Sequence, residues 1–359
     1  MVAAVAVVLV AAPLVLAALP ASARLDAGAL RTRMLASVNL PYQGYAESTG
    51  SLGLPDLPNL SEVTSLLGGT TRLRSWYVDP KHWRVDEITG VGERDTYTVP
   101  GSQYVWDNGQ NQYTEVVDDE PIRLPRGGDL LPPDLARRVL ADEGKVAALP
   151  AKRVAGIDAA GLRVTPSDPQ TAIGHVDVWA DPDTGLPLRV EVTAKGQAAP
   201  FVVTAFQTVS TQRPDDDVIT PKPSPDSGFT ATAAPDVVGA LGQVPLPPTL
   251  AGRQLQTDRV GGGRGLGFYG TGLSAFAVVP LPRNVSDGVV NAIGKVGGKT
   301  VTLPGGQNTA TRATLLTIAP LSVLVERSYR RSFLLAGVVD PALLTQAAAD
   351  LSTLPRRRP

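Results

Sequence analysis

"RSWYVDPKHWRVDEI", Arg74 to Ile88, alternates bulky and polar side chains on both sides of Asp79-Pro80-Lys81. Alternation with period two predicts half-buried strands, and Asp-Pro predicts a turn, so the stretch reads as a β-hairpin. With its arms in simple register, Trp76, Val78, Trp83 and Val85 share one face and leave His82, Arg84 and Asp86 on the other. What the two tryptophans cover, protein core or a bound molecule, then becomes the functional question.

The same period extends outward through segments near 73–78, 83–88, 95–99, 103–106 and 112–117, broken by "DP", "GVG", "PG" and "DNG". Asn108-Gly109 is a strong hairpin signal because both residues tolerate positive φ. "LPPDLARRVLADEG" interrupts the strands as a helix with Pro133 in its first turn, and a further helix precedes them, with Leu30, Met34 and Leu35 at helical spacing. A short helix after Ser61 ends at Gly68 and Gly69. Strands resume in "RVAGIDAAGLRVTP", "VWADPDTGLPLRVEV" and "FVVTAFQTVS".

Composition shifts at Pro214, and a proline-rich, exposed linker is expected over 221–248. Beyond it the pattern is strand, strand, helix, strands, helix, which predicts a small α+β domain over 249–354. Ser286 is the expected cap of its first helix, and Asp340 with Pro341 opens its last. Residues 1–23 are apolar up to Arg24 and end in Ala21-Ser22-Ala23, which predicts a signal peptide or an uncleaved anchor, and hence export to the cell envelope.

Other features restrict the chemistry. Cysteine is absent, which removes disulfides, thiolate nucleophiles and cysteine-based metal sites. The two histidines, His82 and His175, are far apart in sequence and inside strands, and no serine sits in a Gly-x-Ser-x-Gly elbow. "GLGFYG", 265–270, matches a dinucleotide-binding glycine pattern but leads into a strand, not a helix. No catalytic residues, metal or cofactor are therefore expected, and nucleic acid is not among the expected partners. Residues 1–235 hold 20 bases and 28 acids, net −8, and residues 236–359 hold 13 and 6, net +7, which favours docking of the halves on each other or of the basic half on an anionic surface, against two independently solvated surfaces. The strands are rich in large side chains, and Trp76, Val78, Trp83, Val85, Tyr104, Trp106, Tyr113 and Trp179 are the candidates to line a cavity if the sheet curves enough to enclose one.

"PYQGYAEST", "RSWYVDPKHWRVDEI", "SQYVWDNGQNQYTEV" and "VWADPDTGLPLRVEV" resemble, in order, segments of the bacterial LolA/LolB/RseB-like superfamily over about residues 25–220, within an expected domain of 24–220. The resemblance implies a mainly β fold with α+β character: a curved antiparallel sheet, or incomplete β-barrel, plugged by helices. The extra C-terminal domain resembles the two-domain RseB-type sensors. It implies a non-enzymatic carrier or chaperone holding a lipid, acyl chain or lipoprotein, with a transporter as a further partner; the alternative is a sensor that binds an anti-sigma factor or similar membrane regulator. Carriers of this family hold their lid with an arginine, for which Arg31, Arg33 and Arg74 are available.

Overall fold

The computed structural model describes residues 23, 25–53, 61–89, 92–117, 126–141, 144–233, 244–256, 266–303, 312–327 and 332–353. Residues 1–22 of the expected leader lie outside the described residues.

Twelve strands form one sheet: β1 (Tyr42–Gly50), β2 (Thr70–Asp79), β3 (His82–Thr89), β4 (Gly92–Val99), β5 (Ser102–Asp107), β6 (Gln112–Val117), β7 (Lys145–Val154), β8 (Ile157–Thr165), β9 (Ile173–Ala180), β10 (Pro187–Ala194), β11 (Val202–Ser210) and β12 (Gly228–Ala233). Their order is β12-β6-β5-β4-β3-β2-β1-β11-β10-β9-β8-β7, so the sheet curves without closing on itself. Neighbours pair antiparallel except β12, which runs parallel to β6. The meander follows from the alternating segments and their turns; at β7–β8 the turn is Ala155-Gly156, both at positive φ.

Helices cover one face. In α1 (Ala27–Ala36) the Asp26 carboxylate accepts the Ala29 N–H at 3.0 Å, and Ala27, Leu30 and Met34 are buried. Leu35, expected beside them, is exposed, because 30 and 34 lie one turn apart and 35 is rotated past the stripe. The short helix α2 (Ser61–Gly68), expected after Ser61, packs on β1 and β2. α1 packs with α3 (Pro132–Leu140) on the aliphatic side chains of β8 to β10, among them Leu162, Val164, Val176, Val178, Val190 and Val192. Arg31 Nη2 donates to Leu140 O at 2.8 Å and ties the two helices together, while Arg33 donates to Pro182 O.

Part of the expected linker is strand. After β11, residues 211–227 cross the other face of the sheet through the short helix α4 (Asp216–Ile219), and β12 then extends the sheet edge. Its six residues, GFTATA, lack proline and are β-permissive, a signal hidden by the prolines on either side.

A second sheet, in the order β15-β16-β20-β19-β18-β17, is formed by β15 (Gly267–Tyr269), β16 (Phe276–Leu281), β17 (Lys299–Thr302), β18 (Arg312–Ile318), β19 (Leu321–Arg327) and β20 (Ser332–Gly337). The small hairpin β13 (Thr249–Leu250) and β14 (Arg253–Gln254) precedes it. Helix α5 (Arg283–Lys295) packs on one face through Ile293, and α6 (Pro341–Ser352) on the other through Leu343, Leu344 and Ala347. Asp340 caps α6 as expected, its carboxylate accepting the Ala342 N–H. Ser286 does not cap α5: the helix begins at Arg283, one turn earlier, and the Ser286 hydroxyl donates to Arg283 O inside it.

The two sheets are docked. Residues 168–172, between β8 and β9, lie along 338–340: Ala172 N–H donates to Val338 O and Asp340 N–H to Gln170 O, both at 2.8 Å. Arg253 Nη2 meets Asp168 Oδ2 at 2.5 Å, joining the acidic and basic halves. Burial opposes ionisation of Asp168, but hydrogen bonds from Ser274, the Gln170 N–H and Arg253 outweigh it and hold its carboxyl below the usual range.

Candidate functional site

One residue decides the geometry of the Arg74–Ile88 hairpin. Lys81 N–H donates to Asp79 Oδ1 at 2.7 Å, as the Asp-Pro turn predicts, and Asp79 pairs with His82. The next pair is Tyr77 with Trp83, so Val78 is an extra residue on its strand, a β-bulge. The bulge inverts everything beyond it. Trp76 pairs with Arg84 and Ser75 with Val85, so Trp76 and Trp83 point to opposite faces. The shared face expected for Trp76, Val78, Trp83 and Val85 is thereby corrected: Trp83 and Val85 join Leu73, Ser75 and Tyr77, and Trp76 joins Arg74, Arg84 and Asp86.

On the helix-bearing face, a cavity of about 260 Å³ opens between β2–β4, the turn Gly127–Leu130 and α3. Tyr42, Tyr77, Trp83, Val85, Leu66 and Leu131 form its apolar wall. Trp76 and Arg84 border it too, but their side chains stack on each other behind the sheet, 5.0 Å apart, so they contribute the sheet itself. Tyr42 and Tyr77 stack with ring centroids 5.0 Å apart, and the Tyr77 hydroxyl donates to Val38 O at 2.6 Å. Burial pushes the Tyr77 hydroxyl up to about 12, so it stays a neutral donor.

The rim is charged. Asp129 accepts the Arg126 N–H at 2.8 Å and pairs with Arg138, and Arg137 meets Asp134 at 2.8 Å. Gly127 N–H donates to Glu87 Oε2 at 3.2 Å, and a Cβ at Gly127 would lie 2.6 Å from that oxygen, so a larger residue there would have to displace the Glu87 carboxylate from the turn. Burial raises the Asp134 carboxyl above its ordinary range, with Arg137 opposing.

On the opposite face Arg84 lies between Trp76 and Tyr97, 4.8 Å from the latter's ring centre. It bonds both oxygens of Asp86 at 2.6 and 3.0 Å, Asp95 at 2.8 Å and, from Nη1, Val218 O at 3.3 Å in the covering segment. Arg74 joins through Glu93 at 2.5 Å. Burial, with Asp86 next, pushes the Asp95 carboxyl up to about 7. Asp86, Glu93 and Asp95 place oxygens within 4.8 Å of one another, yet two guanidinium groups already occupy the charge-balancing position a cation would take.

The remaining candidates are dispersed. Tyr104, Trp106 and Tyr113 lie on the Arg84 face: the Tyr104 hydroxyl donates to Glu115 Oε1, Trp106 and Tyr113 rings are 4.5 Å apart, and the Tyr113 hydroxyl reaches Lys222 O at 3.5 Å. Trp179 is sealed behind β9 by β7, donating from Nε1 to Pro150 O at 3.0 Å with Lys152 Nζ 3.6 Å from its ring centre. A Cβ at Gly161 would come 2.6 Å from that Nε1, which reserves the position for glycine. Thus Trp83 and Val85 reach the cavity, Trp76 borders it from behind the sheet, and Val78, Tyr104, Trp106, Tyr113 and Trp179 do not line it. Leu66, Leu131 and the rim arginines were not among the residues the sequence singled out; Tyr42 and Tyr77 belong to the bulky strand residues whose alternation did signal a lining, though they are not among the eight candidates.

A long, curved, unclosed sheet with helices on one face, followed by a second sheet flanked by two helices, is a LolA/RseB-like fold. The chain is similar to MucB as crystallised with MucA(peri): 17% identity, TM-score 0.50, covering 90% of this chain and 97% of that one. The MucA/MucB complex of Pseudomonas aeruginosa aligns with 17% identity and TM-score 0.49 over 90% and 97%. A LolA superfamily protein of Nitrosomonas europaea aligns with 10% identity and TM-score 0.27 over 55% of this chain and 99% of its own. No family model and no curated relative matches the sequence.

Proposed function

We propose that this chain is a non-enzymatic binding protein of the cell envelope, of RseB type, which engages a membrane-bound regulator and takes an apolar ligand such as an acyl chain in its half-barrel. Residues 24–220, whose sheet β12 extends, serve as the ligand-holding domain, 249–354 as the regulator-engaging domain, and the rest of 221–248 as the connection, with 1–23 directing export. The observation that carries this reading is the second sheet docked on the first, in a chain that aligns with 97% of MucB as crystallised with MucA(peri). Removing residues 249–354 should abolish co-purification of a membrane regulator while leaving ligand binding intact. A regulator retained by residues 24–220 alone would refute it.

A carrier role is favoured by one feature, the cavity between α3 and β2–β4. At about 260 Å³ it lies just under the roughly 300–1,000 Å³ typical of small-molecule sites. Its apolar wall and ionic rim suit a single acyl chain with a polar head. A fluorescent fatty acid that fails to bind, with no lipid in mass spectra of gently purified protein, would sink this part.

Among the described residues no helix is long and apolar enough to cross a membrane. If residues 1–23 are cleaved, the mature chain is released outside the cytoplasm; a fusion to a reporter active only there tests it.

A further inference from the structure

On the face of the first sheet away from the helices, five charged groups form one cluster: Arg74 on β2, Arg84 and Asp86 on β3, Glu93 and Asp95 on β4. Arg84 bonds Asp86 and Asp95, and Arg74 lies 2.5 Å from Glu93 and 3.5 Å from Asp86. Three carboxylates stand against two guanidinium groups, so the cluster is net −1 when every member is ionised. Asp86 and Asp95 are buried, oxygens of all three acids converge within 4.8 Å, and Asp95 Oδ1 has no hydrogen-bond partner. A proton on Asp95 cancels the excess charge and gives that carboxyl a donor for the adjacent Glu93. Tyr97 and Tyr113 also face the cluster, but burial pushes both hydroxyls up, so they add no charge near neutral pH.

What covers the cluster is acidic as well. Residues 211–227 pass over it, with α4 against β2 and β3, Ile219 buried, and Val218 O accepting from Arg84 Nη1 at 3.3 Å. Around α4, Arg213 pairs with Asp216 and Lys222 with Asp217, which leaves Asp215 in excess. We propose that 211–227 is a pH-sensitive strap, latched on β2–β4 while Asp95 holds a proton and loosened when that proton leaves. The departing proton leaves a buried negative charge beneath a net-negative segment, so hydration and repulsion both favour lifting it. The sign follows from the two forms. Latched, the Asp95 carboxyl is pushed up to about 7; lifted into water, it returns toward its ordinary 3.8. The latch is therefore tightest below that ordinary value, weakens as pH rises toward about 7, and changes no further above it. Lifting the strap uncovers the stack of Arg84 between Trp76 and Tyr97. This goes beyond the proposed function: cluster and cavity lie on opposite faces of β2–β4, so the two can fail independently.

The chain has no cysteine, so a thiol introduced by Ile219→Cys under the strap reports the latch in the full chain. Its rate of maleimide labelling, normalised to that of the exposed Thr220→Cys, should rise at least tenfold from pH 5 to 7.5. Hydrogen exchange of 211–227 in the unsubstituted chain, corrected for intrinsic rates, should follow the same course. Adding Asp95→Asn, which copies the protonated carboxyl, should hold labelling at its pH 5 level throughout. Adding Asp215→Lys, exposed on the strap and clear of the core, should slow labelling at pH 7.5 at least threefold, because the strap then attracts the ionised cluster. Glu326→Gln in the second sheet should leave the course unchanged, and circular dichroism should hold its pH 5 value up to pH 7.5. A normalised rate and an exchange rate that are both independent of pH, a rise that persists with Asp95→Asn, or indifference to Asp215→Lys overturns the proposal. So does a rise matched by loss of circular dichroism, since that would be unfolding of the sheet.

Discussion

Glu326 is the least accommodated charge in the second sheet. It is fully buried on β19, opposite Ala313 and Phe333, and neither carboxyl oxygen has a hydrogen-bond partner. Burial pushes its carboxyl up from 4.5 to about 7. The folded form therefore keeps its proton where the unfolded chain has released it. Below about pH 4.5 both states are protonated and Glu326 imposes no penalty; between 4.5 and 7 stability falls, and above 7 the full loss is present. At about 1.4 kcal/mol per pH unit the loss is on the order of 3 kcal/mol. Hydrogen exchange of β18–β20 amides, corrected for intrinsic rates, should show protection falling roughly a hundredfold from pH 4.5 to 8. Glu326→Gln should flatten that dependence, and Glu326→Leu should raise protection at pH 8, because an apolar side chain leaves no unpaired acceptor in the core. Identical pH dependence in wild type and Glu326→Gln would refute the reasoning.

Trp83→Ala should abolish binding of a fluorescent fatty acid, whereas Trp76→Ala should leave it intact and lower stability by about 1 kcal/mol through the lost Arg84 stacking; equal effects would contradict the bulged register. Arg84→Met should destabilise the first sheet by about 3–5 kcal/mol in urea, because it strands Asp86 and Asp95 without their buried partner. Arg253→Ala should cost no more than about 1 kcal/mol globally yet increase proteolysis in 244–256, since the ion pair it removes is one of the ties between the sheets.

What the sequence made legible was whatever repeats at short range. Period-two alternation placed the strands, Asp79-Pro80-Lys81 and Asn108-Gly109 marked real turns, and Asp340-Pro341 opened a helix where expected. Each of these depends on contacts within a few residues. β12 was missed because its pairing partner, β6, lies over a hundred residues earlier and the prolines around it point to an exposed linker.

The bulge at Val78 is the more instructive case, because no residue announces it. Valine is an ordinary strand residue, and the unbulged register would bury the same number of tryptophans. What selects the bulge is the rest of the sheet. Tyr77 must face the helices to stack on Tyr42 and reach Val38 O, and Arg84 must turn away from them to meet Asp86, Asp95 and the covering segment. In simple register Tyr77 would share the face of Arg84, which would either leave its hydroxyl without that acceptor or place the Arg84–Asp86 pair under α3. A single inserted residue satisfies both demands, and in doing so it leaves one of the two tryptophans, Trp83, to form the wall of the cavity.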